Sequence, residues 1–291
     1  FEYANGSWLK TTQIPPTESR WGTFNILGDR NNAILKEILE NAVKTKAAKG
    51  SDTQMIGDMY ATCIDEAAIE KAGTKPIDQY LKAIDKVKTT ADLQRQIAAL
   101  HDLGFPAVFS FGAGPDLKSS NDVIVNAGQG GITLPNRDYY TQTDAKSVET
   151  RAKFVTYMTN MFKLLGDKEA AAAADAAKVL DIQTRLAKAS LTPVERRNPD
   201  NNYNKITVAD AETLTPNFSW AGYFAARGVP AAGGFNVAPA KFFKEVNAMM
   251  ADVSIADWKT YLRWMVVNSA ANSLPKAFAD ENFAFFGKHL S

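Results

Sequence analysis

Apolar residues recur along this chain mostly at helical spacing. Ile34, Leu35, Ile38, Leu39 and Val43 follow the i, i+3, i+4 rhythm of an amphipathic helix ending near Lys46. Its start is bounded upstream by Ile14-Pro15-Pro16, because each proline lacks a backbone donor and biases its predecessor toward extended conformations. The junction between the two is Ser19-Arg20-Trp21-Gly22-Thr23-Phe24, where an extended entry turns helical. Further helices are punctuated by local caps. Ser51 with Gln54 opens one running to about Gly73, Pro76 begins a short one to Val87, and Thr89 with Asp92 opens another whose Leu93, Ile97 and Leu100 share a face until Gly104. Val148, Val155, Met158, Phe162 and Leu165 form a stripe that Gly166 stops. Asp167 is expected to cap a second, alanine-rich helix pairing with it as an αα-hairpin. Thr192 with Glu195, Thr207 with Asp210 and Ser254 with Asp257 repeat the capping signal. The last long helix carries Ile255, Trp258, Leu262, Met265 and Val266 and ends at Pro275.

The β signal is small. Residues 107–111 and 123–125 are short β-favouring runs around a turn-rich loop, which predicts one hairpin. Residues 1–20 are expected to form an extended or irregular arm, with Asn5-Gly6 as a turn and Trp8 and Leu9 free to pack on a host surface. Residues 228–234 are the loosest loop. Phe278, Phe283, Phe285 and Phe286 are too apolar for a free tail. The expected fold class is therefore mainly α: a multi-helix domain over 21–291 with one small β-hairpin and an extended N-terminal arm over 1–20.

Composition narrows function by exclusion. With 291 residues, 45% hydrophobic, 22% charged and a net charge of +1, the chain is ordinary globular protein. The charge balance gives no electrostatic reason for nucleic acid or an anionic membrane as partner, and Glu195-Arg196-Arg197 reads as a solvated patch. No apolar run approaches the ~20 residues that span a bilayer. Cys63 is the single cysteine, so no internal disulfide is available, and a buried, inert thiol is expected. The opening Phe1-Glu2-Tyr3, without an initiator methionine, reads as a trimmed or mature fragment.

Catalytic motifs are missing. The two histidines, His101 and His289, are far apart in sequence, and there is no His-Glu-x-x-His, so a helical zinc site is not encoded. His101 beside Asp102 is expected to be a satisfied surface pair. Gly128-Gln129-Gly130-Gly131 has the wrong spacing for a phosphate cradle, and no Gly-x-Ser-x-Gly elbow exists. Arg20 remains as the one site candidate, since a guanidinium at such a junction can fork two hydrogen bonds onto a carboxylate.

Several motifs carry a family resemblance. Tyr3-Ala4-Asn5-Gly6-Ser7-Trp8-Leu9, then Ile14-Pro15 with Ser19-Arg20-Trp21-Gly22-Thr23-Phe24, then residues 131–140 (GITLPNRDYY) resemble the N-terminal region of the neprilysin and endothelin-converting-enzyme family of zinc metallopeptidases (peptidase M13). Weaker matches run through Tyr203-Asn204-Lys205, Trp258-Lys259-Thr260-Tyr261-Leu262 and Phe285-Phe286-Gly287-Lys288, so the resemblance covers the whole chain.

The resemblance implies a helical lid facing a thermolysin-like domain across a closed chamber that admits short peptides. The zinc ligands and the catalytic Glu would lie in the later half of the full-length parent. By itself this chain is expected to bind no zinc, to hold no catalytic residue and to be inactive. Its arm would pack on the parent's C-terminal catalytic domain, and its localisation would be periplasmic or extracellular. The substrate-binding residues implied are Arg20, which would reach acidic or C-terminal carboxylate groups of bound peptide, Phe24, which would wall the pocket after the scissile bond, and Asn25 beside them. Asn25 stands where relatives carry an Asp, and Gly28 where they carry a second Arg, so carboxylate specificity is expected to be looser. Cys63 matches a family cysteine whose partner lies past residue 291. The competing class is a stand-alone helical peptide-binding or scaffold domain, or the lid of an inactive pseudo-peptidase.

Overall fold

The computed structural model describes residues 1–18, 20–230 and 233–290. The chain divides into two compact units, Phe1–Lys71 and Ala72–Leu290.

The first unit holds α1 (Glu2–Thr11), α2 (Thr23–Lys44), α3 (Asp52–Cys63) and the start of α4 (Glu66–Ala72). The arm expected to be extended is thus helical over Glu2–Thr11. The Asn5 amide donates to the carbonyl of Phe1 one turn back, which absorbs the Asn-Gly signal into a helical turn. Half of the capping box predicted for α3 forms: Gln54 N–H bonds the Ser51 hydroxyl, while the Gln54 side chain accepts from Gly50 N–H, one residue before the cap. The helix expected to run to Gly73 breaks at Ile64 and Asp65, where Asp65 accepts from Ala68 N–H and restarts the chain as α4. α2 and α3 cross closely because Gly57 has no side chain. A Cβ there would sit 2.7 Å from the backbone oxygen of Ala42.

The second unit contains α5 (Lys75–Asp85), α6 (Thr90–Asp102), β1 (Phe109–Asp116), β2 (Ser119–Gln129), α7 (Asp138–Thr141), α8 (Ala145–Leu164) and α9 (Glu169–Ala189). It continues through β3 (Lys205–Ile206), α10 (Val208–Leu214), α11 (Trp220–Ala226), β4 (Phe235–Ala238), α12 (Ala240–Asp252), α13 (Ile255–Ala270) and α14 (Lys276–Asn282), which runs into a π-helical turn, Phe283–His289. The predicted hairpin is present as β1 and β2, antiparallel from Phe109 opposite Gln129. The sheet is larger than a hairpin. β4 joins β2 in parallel, with Ala127 opposite Val237, and β3 pairs antiparallel with β4, giving the order β1-β2-β4-β3.

α8 and α9 pair as expected, but α9 begins after Lys168 without a side-chain cap, because the Asp167 carboxylate is engaged by Arg263 on α13. The core includes α13, whose Trp258, Tyr261, Leu262, Trp264, Met265, Val266 and Val267 are all buried. Phe109 stands edge-on or tilted to Phe218, Trp220, Tyr223 and Phe243 at centroid distances of 5.4–5.8 Å. Such rings bury large apolar areas and add further pairwise attraction.

One buried hydroxyl fixes how the hairpin meets this core. Tyr261 Oη accepts from Val108 N–H and donates to the carbonyl of Gly131, both at 2.8 Å. The clamp holds Val108 at φ +60, unusual for a β-branched residue. It also brings Gly131, at φ +72, so close that a Cβ would lie 2.4 Å from the Val108 oxygen. Only glycine fits there.

Candidate functional site

The proline segment ends in a turn closed by Glu18 N–H onto the carbonyl of Pro15, and the chain then passes Arg20 and Trp21 before α2 begins. Ser19 of the motif lies outside the described residues. Gly22 is the N-cap in an extended conformation, and glycine brings no side-chain acceptor to the helix end. The α2 first turn carries no acidic residue. Its positive dipole end therefore meets no carboxylate of its own helix, a setting that favours an anion from elsewhere. Arg20 is exposed three residues upstream and makes no ion pair among the described residues. Phe24 is 89% exposed, so it is not core in this chain, and Asn25 is half-buried on the same first turn. Arg20, Phe24 and Asn25 thus lie within a few residues of a helix N-terminus that has no side-chain cap. The glycine where a Ser, Thr or Asp cap would be expected was the available sequence signal for those free backbone donors.

The apolar stripe of α2 faces outward. Ile34 is 45% exposed, Leu35 55% and Ile38 53%, while Met55, Ile56 and Met59 of α3 are also open. Monomeric proteins seldom leave so many large apolar side chains uncovered on one helical pair. Trp8 and Phe24 are exposed and Trp21 is partly so. The terminal phenylalanines divide: Phe283 is open, whereas Phe278 and Phe285 are buried in the second unit, Phe285 stacking on Tyr157 at 5.1 Å. Cys63 is exposed rather than buried, since α3 ends there with its last turn in solvent.

The motif at residues 131–140 has a structural explanation. Tyr140 Oη accepts from Thr133 and Leu134 N–H and donates to Gln183 Oε1; Gln183 in turn donates to the Thr133 hydroxyl, which also accepts from Trp264 Nε1. Gln183 is wholly buried and satisfied, so this knot anchors the segment after β2 to α9 and α13. Gly128 to Gly131 likewise ends a strand and forms no phosphate cradle.

Neither histidine offers a metal ligand. His101 Nε2 lies 2.6 Å from the Ala107 carbonyl and Nδ1 2.5 Å from Tyr223 Oη. It is therefore not the surface partner of Asp102, which instead meets Arg227 at 2.5 Å. Burial pushes the His101 pKa down to about 4, with the Arg227 charge acting in the same direction. His289 sits near Thr150 and Lys153. Among the described residues no group of three or more His, Cys, Asp or Glu could hold a metal ion. No described helix is long and apolar enough to cross a membrane.

Comparison with known proteins agrees with the architecture. Rat endothelin-converting enzyme 1 is 28% identical over 298 residues, covering 97% of this chain and 38% of that protein. Neprilysin-3 of Drosophila melanogaster is 26% identical over 301 residues, covering 96% and 38%. The crystal structure of Mycobacterium tuberculosis zinc metalloprotease Zmp1 in complex with an inhibitor matches with a TM-score of 0.92 at 30% identity, covering 100% of this chain and 44% of that one. The chain thus spans about two fifths of the length of these relatives. The N-terminal model described as peptidase family M13 matches residues 1–291, and the chain belongs to that family.

Proposed function

We propose that this chain is the N-terminal lid half of a zinc metalloendopeptidase that hydrolyses short peptides. In this reading residues 21–291 form the lid and residues 1–20 pack on the C-terminal catalytic domain of the same parent. Arg20 binds a carboxylate of the peptide, Phe24 supplies an apolar wall, and Asn25 shapes the same first turn. The zinc, its ligands and the reacting residues belong to the parent's later half, in the periplasm or outside the cell, and this chain alone is inactive.

The observation that carries the reading is Arg20, exposed and without an ion pair among the described residues, beside the uncapped α2 N-terminus, with Phe24 presented to solvent. A guanidinium and a helix dipole end converge on the same kind of ligand, an anion. The open apolar faces of α2 and α3 support a large partner surface nearby, which the catalytic half of the parent would supply. A carboxylate at Arg20 would orient the peptide without touching the bond that is cut.

The test is to read the parent gene beyond residue 291. A His-Glu-x-x-His with a downstream Glu is expected. A frame that stops without it favours the stand-alone binding or scaffold domain, and one that continues with the ligands replaced favours an inactive pseudo-peptidase.

A further inference from the structure

A second arginine site lies in the second unit. Gln129, Gly130, Ile132, Pro135, Asn136, Arg137, Ser190, Leu191, Pro193 and Arg196 enclose a recess of about 120 Å³. It is framed by the turn after β2 on one side and the turn after α9 on the other. Both turns are held by their own bonds. Gln129 exchanges two hydrogen bonds with the backbone of Leu191, and Thr192 and Glu195 cap each other.

The charges in this recess are unbalanced. Arg137 is half-buried, yet its Nη1 donates only to the Ser190 carbonyl, at 3.3 Å, and its Nε–H is buried without an acceptor among the described residues. Three other partly buried arginines of this unit face carboxylates, Arg185 meeting Glu245 and Asp252, Arg227 meeting Asp102 and Arg263 meeting Asp167, whereas Arg151 donates to the carbonyls of Tyr139 and Gln142 at 2.9 and 2.8 Å. Arg196, exposed at the rim, has no ion pair among the described residues. The Glu195 carboxylate accepts from Thr192 N–H, and its pKa is lowered chiefly by the hydrogen bonds from Thr192 and further by the charges of Lys241 and Arg137, so it lies within electrostatic reach of Arg137. The Asn136 carbonyl oxygen is used by Asp138 N–H, leaving its amide as a donor. Two guanidiniums at the recess outnumber the Glu195 carboxylate beside them, and with the Asn136 amide they form a donor set that matches the geometry of an oxyanion.

The geometry points to Arg137, Arg196 and Asn136 as a binding site for a small oxyanion, a carboxylate or a phosphate. Ile132, Pro135, Leu191 and Pro193 give it an apolar wall suited to the group that carries the charge. The same arginine pair that the sequence presents as a solvated patch and a motif residue becomes, in three dimensions, one concave cationic surface.

Isothermal titration calorimetry on the full chain at pH 7 and constant ionic strength tests this with three probes: inorganic phosphate, N-acetylglycine and N-acetylglycinamide. Phosphate, N-acetylglycine or both should bind, with Arg196→Ala and Arg137→Gln each weakening that binding roughly 10-fold or more. Tighter binding of N-acetylglycine would identify a peptide C-terminus as the source of the oxyanion; tighter binding of phosphate would identify the free ion. The proposal is overturned if neither anion binds, if the uncharged amide binds as well as the acid, or if Arg196→Ala binds like the parent. Because Arg196 is exposed on a short turn, its variant folds whether or not Arg137→Gln does.

Discussion

His101 makes the stability of the second unit depend on pH in a way that one substitution removes. A carbonyl can only accept, so Nε2 carries the proton that is donated to Ala107, and Nδ1 accepts from the Tyr223 hydroxyl. Tyr223 Oη in turn accepts from Arg227 Nη1 at 3.2 Å. Protonating Nδ1 would set a donor against a hydroxyl already committed as a donor, beside the Arg227 guanidinium. Asp102 pulls the other way but is exposed and held by Arg227. Burial is the larger cause, and together these hold the pKa near 4 against 6.5 for the free side chain. The folded pKa lies below the unfolded one, so the unfolded chain binds more protons between pH 6.5 and pH 4. Stability is therefore full above pH 6.5, falls as pH drops through this window, and levels off below pH 4. A gap of that size corresponds to about 3 kcal/mol at most, and partial exposure of the ring reduces it to about 2–3 kcal/mol. His101→Gln keeps a donor and an acceptor but cannot titrate. Urea unfolding followed by tryptophan fluorescence reports the second unit, where Trp220, Trp258 and Trp264 are buried. Between pH 7 and pH 4 the parent should lose about 2–3 kcal/mol more than His101→Gln. Carboxylates common to both cancel in that difference. Parallel pH profiles for the two proteins would refute the reasoning.

Two further substitutions probe the frame that carries the sites. Tyr261→Phe leaves Val108 N–H and the Gly131 carbonyl buried without partners and should cost about 2–4 kcal/mol, read as a lower urea midpoint with an unchanged slope; a loss below about 0.5 kcal/mol would show that the clamp is dispensable. Gly57→Ala gains helix propensity but presses a methyl onto the Ala42 backbone, so it should destabilise the α2 and α3 pair by about 1–3 kcal/mol, seen as faster amide exchange in α3; slower exchange would mean the helices can separate freely.

What could be read from the sequence follows the range of the interactions involved. The caps at Thr89 and Asp92, Thr207 and Asp210, and Ser254 and Asp257 are contacts three residues apart, and all form where the spacing puts them. β4 is four residues followed by Pro239 and β3 is two, so their pairing with β2 and with each other rests on partners about 30 or 110 residues away, beyond any local pattern. His101 was misjudged for the same reason, its hydroxyl partner Tyr223 being 122 residues on. The place of Arg20 just before the α2 start was legible through the prolines and the helical spacing that follows them. That the α2 stripe stands open was not, because periodicity identifies an apolar face but not what covers it. Asp167 shows the opposite failure: a fitting local cap is drawn away by a stronger charged partner, Arg263.

The central claim, that Arg20 binds a peptide carboxylate, is tested most directly in the full-length parent with matched peptides carrying a free acid or an amide on the leaving side. A charged hydrogen bond of this kind contributes about 1.5–3 kcal/mol, so Arg20→Met should lower kcat/KM for the acid peptides roughly 10- to 100-fold, mainly through KM. The amidated peptides should be cleaved almost as before, and folding should be unaffected because Arg20 is exposed. Equal losses on acid and amide would make Arg20 a structural residue, and no loss on either would contradict the account.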